Sequence, residues 1–315
     1  MLYPISVPKS NSAESLVGFI NSDGDVVVPT LYASGSFFFE GTAAVLDQHG
    51  KSGFIDGFGN LVIPFCFDGL GKFKNGLCSI NGGFIDHFGN WFIEPRFLAA
   101  SQFSEGRAFA SVDGEAFGFI DLTGRFVIGP EFQQCREFSD GLAAVCRDGR
   151  WGYVDHTGDV KIPFVFEEPC AYPFSYGLAA VKIDGLWGFI DHGGAFVAKP
   201  EYEDVKPFSE GYAAVRRNGK WGLIDLNSSL IVDYQFDDLG QLHGGLAAAK
   251  VDNKAGFISL GGSWTIQPRF DNCYRFFGLL AVATKGNTYS YVRRSGTVVW
   301  ESERGARVLR PPVIA

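Results

Sequence analysis

A chain of 315 residues, 46% of them hydrophobic, has ample apolar material for a buried core, and its formal charge of −8 argues against a polyanionic partner. Nonspecific nucleic-acid affinity comes from clustered Lys and Arg neutralising phosphates, and no apolar run approaches the roughly 20 residues of a spanning helix, so neither nucleic acid nor membrane is expected as a partner. Gly counted 41 times and Phe 31 times, against a single Met, mark a turn-rich, β-leaning composition.

The chain opens on "MLYPISVPKSNSAES", which has no basic stretch followed by an apolar block and reads as a cytoplasmic start. It then repeats itself. Gly18, Gly53, Gly83, Gly118, Gly152, Gly188, Gly222 and Gly256 recur at intervals of 35, 30, 35, 34, 36, 34 and 34 residues, and a degenerate ninth copy has Ser290 in the glycine slot. Such a period marks a repeat architecture. The expected organisation is one array over residues 1–301, about eight repeats and the degenerate ninth, followed by a solvated tail at 302–315.

Residues 141–176 show the grammar of one unit. Three strands are predicted at Leu142–Arg147, Trp151–Asp155 and about Asp159–Pro163, with a loose fourth running from Phe166 towards Phe174. Asp148-Gly149 between two apolar runs predicts a tight hairpin turn with positive φ at both central residues. In the second strand Trp151, Tyr153 and Asp155 share one face, and Gly152 on the other marks the close approach of a neighbouring group. The first strand, "LAAV", is apolar on both faces, as strands covered on both sides are. The reading is a set of small meanders of three to four strands, each stacked face to face on the next.

The aspartates three after the repeat glycine, Asp56, Asp86, Asp121, Asp155, Asp191 and Asp225, look catalytic until their context is weighed. Asn21 and Ser259 fill the same slot, a Gly usually follows three later, and all three residue types cap turns by accepting backbone N–H groups. Turn capping is the expectation. His87, His156 and His192 directly follow three of these aspartates, but no spacing supplies the three or four ligands that zinc requires, so they read as surface turn residues. Cys66, Cys78, Cys135, Cys146, Cys170 and Cys273 read as free thiols, mostly small core residues. No nucleophile elbow, phosphate loop, dinucleotide fingerprint or HExxH occurs. Neither cofactor nor metal is expected, and no catalytic residue is assigned.

The segments "DGRWGYVDHTGDVKIP", "DGLWGFIDHGGAFVAKPEYEDVKPFSEG" and "NGKWGLID" resemble the WG repeats of bacterial proteins, formerly called KWG repeats. The resemblance covers nearly the whole chain and is strongest around Trp151, Gly152 and Asp155, Trp187, Gly188 and Asp191, and Trp221, Gly222 and Asp225. Elsewhere Val17, Ser52, Gly82, Phe117 and Ala255 stand in the Trp slot. The resemblance implies a β-repeat used mainly for binding, with no catalytic residues to carry over.

About nine units is more than the usual four to eight blades of a propeller, so the all-β array is expected to form an open, propeller-like superhelix, with a closed β-propeller of 8–9 blades as the alternative. The hairpin tips of the central repeats are basic, with Arg147, Arg150, Lys182, Arg216, Arg217 and Lys220, followed by Lys250 and Lys254. The region after the third strand is acidic, with Glu167, Glu168, Glu201, Glu203, Asp204, Asp237 and Asp238. Such charges protect strand edges; the sharper reading docks an acidic protein on the basic tips. One hairpin, Gly76 to Gly83, is shortened to seven residues where others have eleven or twelve, leaving a notch. The functional expectation is a monomeric, non-enzymatic scaffold binding a protein partner, including an immunity or regulatory role in bacteria. The alternatives are a carbohydrate or cell-surface binder and an enzyme with a loop-built site.

Overall fold

The computed structural model describes residues 1–8, 15–167 and 172–309; Glu168, Cys170 and the end of the expected tail lie outside the described residues. Nine antiparallel sheets of three or four short strands follow one another along the chain, and no helix occurs among the described residues. They belong to two compact units, Met1–Pro95 with Lys254–Phe257 and Thr265 onward in one, and Arg96–Asn253 with Ile258–Trp264 in the other.

The fifth sheet, in the second unit, shows the plan. Its strands are Gln134–Cys135, Ala143–Arg147, Arg150–Val154 and Val160–Phe166, hydrogen-bonded in that order. Asp148 and Gly149 connect the hairpin with φ of 51° and 70°, the doubly left-handed turn whose twist matches that of its strands. The third predicted strand does not stop at Pro163 but runs on to Phe166. It does so through a bulge: Trp151 pairs with Phe166 and Tyr153 with Ile162, so Gly152 alone stands opposite Pro163, Phe164 and Val165. Proline has no N–H to give a ladder and is tolerated at such a bulge.

The bulge explains the repeat glycine. A Cβ on Gly152 would lie 2.7 Å from the Ile162 carbonyl oxygen, and one on Gly188 2.6 Å from that of Ala198. The carbonyl ten residues on makes the same approach at the other repeat glycines. The close neighbour expected from the sequence is thus the backbone of the bulged strand in the same sheet.

The loose fourth strand predicted from Phe166 towards Phe174 crosses residues 168–171, which lie outside the described residues, and the equivalent stretch of the next repeat differs from the expectation. After Phe196–Tyr202 the chain forms the two-residue strand Asp204–Val205, which pairs with Tyr212–Arg217 of the following sheet, Asp204 opposite Arg216 and Val205 opposite Val215. Each four-stranded sheet of this kind joins the last short strand of one sequence repeat to three strands of the next. Spacing alone does not reveal this, because the partner of a short strand is chosen by geometry across the chain.

Ala143, Ala144, Val145 and Cys146 are all buried, as the two-faced apolar strand requires. Ala143 and Val145 pack with Phe119 and Ile128 of the fourth sheet. Ala144 and Cys146 share a core with Trp151, Tyr153, and Ala179 and Val181 of the sixth. These three consecutive sheets therefore bury common cores, at about 25 cal/mol for each Å² of apolar surface removed from water.

In the first unit, the sheets from the two ends of the sequence meet. Tyr3, Ile5 and Ile20 share a core with Leu280, Val282, Tyr289 and Tyr291. Tyr291 Oη donates to the Pro4 carbonyl at 2.7 Å, and Tyr289 Oη accepts from the Ser6 N–H at 2.7 Å. Leu2 and Leu309 lie in one buried cluster, and Ala306 is buried as well, so the start of the expected tail is packed rather than solvated. Of the two expected arrangements, it is the propeller, here of nine blades, that sets its terminal blades side by side; the favoured open superhelix keeps them apart.

Candidate interaction surfaces

Each sheet presents two kinds of edge to solvent, one made of hairpin tips and one made of the turns that precede and follow the hairpin. At the hairpin tips several basic groups stand beside acids. Arg147 pairs with Glu131 at 2.9 Å and lies over the rings of Phe132 and Phe164. Arg217 pairs with Glu201 at 3.5 Å, Arg216 with Glu203 at 3.6 Å, and Lys220 with Asp237 at 2.5 Å. Lys182 lies 5.9 Å from the centroid of the Trp187 ring, and Arg150 is exposed. Basic and acidic groups that appear segregated along the sequence interleave here, because antiparallel pairing returns a residue some 17 positions on beside its partner.

The acids have a second task. Glu167 accepts the Asp184 N–H at 3.0 Å, Glu203 the Gly219 N–H at 3.0 Å, and Asp237 the Asp252 N–H at 2.8 Å. These carboxylates close the tight turns, whose outward N–H groups otherwise face only water. The cut hairpin uses another solution: Asn81 and Asp68 exchange two hydrogen bonds, of 2.9 and 3.1 Å. There Gly83 pairs directly with Ile80, so the two levels that carry Trp151 and Arg150 in the fifth sheet do not exist. Trp91 from the neighbouring strand covers the gap, edge-on to Phe67 at 5.5 Å.

On the opposite edge the repeated aspartates hold turns. Asp155 Oδ1 accepts the N–H groups of Thr157 and Asp159 at 2.9 and 3.1 Å, and Asp191 and Asp225 do the same for the residues two and four beyond them. Hydrogen bonds from Lys161 and Thr157 hold the Asp155 carboxyl far below the usual carboxylate range. Trp151 and Trp187 are buried at 0% and 5% exposure, as is Trp221.

The histidines do not converge. His87, His156 and His192 each stack on a phenylalanine, Phe73, Phe138 and Phe174, with centroids 4.1, 4.2 and 4.5 Å apart. His87 meets Glu40 at 3.4 Å, His156 meets Glu105 at 3.3 Å, and His192 Nε2 lies 2.8 Å from the Asp140 carbonyl. Among the described residues no three His, Cys, Asp or Glu side chains gather as metal ligands would. Burial pushes the Cys78 and Cys273 thiols up to about 12, which keeps them protonated and inert, and raises that of Cys135 further; Cys66 is exposed.

Sequence reasoning missed the acids of the Phe-Ser-Glu-Gly corners. Glu40 accepts the N–H groups of Asn75 and Gly76 at 2.7 and 2.9 Å, Glu105 that of Gly141 at 3.1 Å, and Asp140 that of Gly177 at 2.9 Å. Each ties one corner to the next, 35 to 37 residues along. The available signal was an acidic residue directly before the corner glycine, where φ is positive: 47° at Glu40, 52° at Glu105 and 52° at Asp140.

Two aromatic residues of the capped turns stand out by their exposure. Phe58 and Phe88, two positions after the turn aspartates of consecutive repeats, are 85% and 82% exposed. The same slot holds Thr123, Thr157, Gly193 and Asn227 in later repeats. Asp56 and Asp86 each accept the N–H of the exposed phenylalanine at 2.9 Å, which fixes the backbone that presents the ring.

The fold matches known structures across most of its length. The crystal structure titled as the eukaryotic initiation factor superposes with a TM-score of 0.65 at 10% identity, covering 97% of this chain and 96% of that one. The computationally designed Ika8 protein superposes with a TM-score of 0.51 at 13% identity, covering 83% and 93%. At such identities the likeness is one of fold alone. No curated protein is significantly similar in sequence. The WG containing repeat model matches eight successive segments, 18–51, 53–81, 83–115, 117–151, 151–187, 187–221, 221–254 and 256–289. With the glycine, bulge and capped turn of each repeat accounted for, the chain belongs to the WG-containing-repeat family.

Proposed function

We propose that this repeat scaffold is a non-enzymatic module that binds a protein partner through the turn edge of its second and third repeats. The observation that carries the reading is the pair Phe58 and Phe88, exposed at 85% and 82%. Burying a phenylalanine on association is worth about 1.5–3 kcal/mol, and exposed aromatic groups held on a rigid backbone lose little entropy when a partner covers them. A binding role is supported further by the use of the repeated carboxylates, which are committed to backbone N–H groups in every turn described above. The partner expected is a protein with a complementary apolar patch, because Arg147, Arg217 and Lys220 at the tips are already opposed by Glu131, Glu201 and Asp237.

The test is affinity capture from lysate of the source cells with the tagged chain, a Phe58→Thr/Phe88→Thr variant, and an Arg147→Glu/Arg216→Glu/Arg217→Glu variant. A single stoichiometric protein retained by the wild type and the tip variant, and lost from the phenylalanine variant, supports the proposal. Loss from the tip variant alone transfers the site to the other edge, and equal capture by all three refutes both.

A further inference from the structure

The exposed rings of Phe58 and Phe88, both in the first unit, do not stand alone. A Cβ on Gly59 would lie 2.6 Å from a Val28 methyl group, and one on Gly89 2.9 Å from an Ile63 methyl group. The turn carrying each phenylalanine therefore rests on the start of the bulged strand of the preceding repeat, Val26–Tyr32 and Leu61–Asp68 respectively. Both strands begin with a pair of exposed aliphatic residues, Val26 and Val27, and Leu61 and Val62, and Phe92 is exposed in the strand that follows Phe88; these five are 41% to 57% exposed. Apolar side chains thus recur from the first repeat through the third along the turn and outer strand of each. Grouped exposed apolar residues of this kind mark an interaction surface.

The charges in these segments have one sign. Lys and Arg are absent from residues 21–29, 56–64 and 86–94, whereas the equivalent 121–129, 155–163 and 191–199 of the next three repeats carry Arg125, Lys161 and Lys199. The same three segments hold Asp23, Asp25, Asp56, Asp86 and Glu94. Asp23 has Arg293 as its partner, and His87 meets Glu40. Among the described residues no Lys or Arg pairs with the other four acids. Asp25 accepts only from the Asn21 amide, at 3.0 Å, and Asp56 and Asp86 accept N–H groups of their own turns, bonds that leave the negative charge in place. Glu94 is exposed, and Arg96, two residues on, is turned to the Thr123 and Gly124 carbonyls at 3.3 and 2.6 Å. Asp25 directly precedes Val26, and Glu94 lies two residues after Phe92, so each end of the apolar series carries a carboxylate without a cation.

We propose that this surface binds a basic segment of a protein, one whose apolar side chains cover Phe58, Phe88 and the strand starts beside them while its Lys or Arg residues meet Asp25 and Glu94. The proposal rests on the reading of Phe58 and Phe88 as the binding edge and adds the charge of what they bind. Opposite charge steers the encounter and fixes the orientation of the bound segment. The same acids repel a polyanion or an anionic lipid surface.

The experiment pans the full chain against a random-sequence peptide library, with the Phe58→Thr/Phe88→Thr protein panned in parallel. Peptides enriched on the wild type alone should combine aromatic or aliphatic residues with an excess of Lys and Arg over Asp and Glu. In calorimetry such a peptide should bind an Asp25→Asn/Glu94→Gln variant about 5-fold more weakly, the scale of two exposed ion pairs, and the difference should shrink at high salt. Wild-type-specific peptides with no basic excess, or unchanged affinity for the neutralised variant, overturn this inference and leave the apolar edge standing. No enrichment over the phenylalanine variant overturns both. Sedimentation with vesicles of phosphatidylcholine and phosphatidylglycerol tests the other class of partner: binding to them that the phenylalanine variant loses assigns the edge to lipid and refutes the basic segment.

Discussion

Gly53 and Gly57 lie four residues apart in one repeat and give opposite answers to the same substitution. A Cβ at Gly53 would stand 2.6 Å from the Ile63 carbonyl oxygen, 3.1 Å from the Pro64 carbonyl carbon and 3.2 Å from a Leu61 methyl. The two nearest atoms are backbone, so no rotamer change relieves the contact; the bulge itself must move. Overpacking of this kind costs ~1–3 kcal/mol, and the immobile partner places Gly53→Ala at the upper end, near ~3 kcal/mol. At ~2 °C per kcal/mol, the lower figure that suits a large domain, its melting temperature should fall by about 6 °C. Gly57 meets nothing within 4 Å and has no positive φ, so Gly57→Ala should be neutral or stabilising by up to ~1 kcal/mol through the unfolded chain. Melting followed by circular dichroism compares the two variants in one buffer. A Gly53→Ala protein as stable as the wild type would refute the account of the repeat glycine, and a Gly57→Ala protein as damaged as Gly53→Ala would show that any glycine in this repeat is equally sensitive.

Trp151→Ala, which empties a fully buried site, should cost about 3–5 kcal/mol in urea unfolding; a loss under ~1 kcal/mol would show that the core between the fifth and sixth sheets collapses freely. Hydrogen bonds from Asn60, Thr123 and Lys161 are the first cause holding Asp56, Asp121 and Asp155, respectively, below the ordinary range. A carboxyl depressed in the folded state contributes stability that is complete above its unfolded value of about 3.9 and is lost as pH falls through the folded value. The urea midpoint should therefore stay level from about pH 7 to 5 and drop below about pH 4, and a drop already at pH 6 would point to other groups. Asp155→Asn should melt close to the wild type, since Asn21 performs the same capping, whereas Asp155→Ala should melt lower. Among the described cysteines, Cys66 alone is exposed, so peptide mapping after brief treatment of native protein with a thiol reagent should find Cys66 labelled and Cys78, Cys135 and Cys146 protected.

Much of one repeat can be read from its own residues, because the forces that shape it are local. Asp148-Gly149 announces its turn through the φ values it tolerates, and Asp155 announces a cap through the spacing to Gly158. The small apolar residues of Ala143–Cys146 already state that both faces are covered. What the sequence conceals depends on partners far along the chain. The membership of Asp204–Val205 in the following sheet rests on pairing with Val215 and Arg216. The contact of Tyr3 and Ser6 with the last sheet joins residues more than 270 positions apart. The charge pattern misleads for the same reason: Arg217 and Glu201 seem to belong to separate basic and acidic stretches until the bulged strand sets them side by side at 3.5 Å. Phe58 and Phe88 lie inside the turns that Asp56 and Asp86 announce, but their exposure of 85% and 82% follows only from the folded turn.

The stagger between sequence repeat and sheet decides where this protein can be cut into parts. A peptide spanning one sequence period, such as residues 211–244, would carry the terminal strand Asp238–Leu239 with no partner and a hairpin lacking its edge strand Asp204–Val205. The self-consistent module instead begins at the two-residue strand and ends after the bulged one, as Asp204–Phe236 does. Gain or loss of a whole period in the gene would nonetheless restore the same succession of strands at any breakpoint. Unequal recombination therefore meets no privileged boundary in strand order, while modular grafting by the protein engineer must respect one.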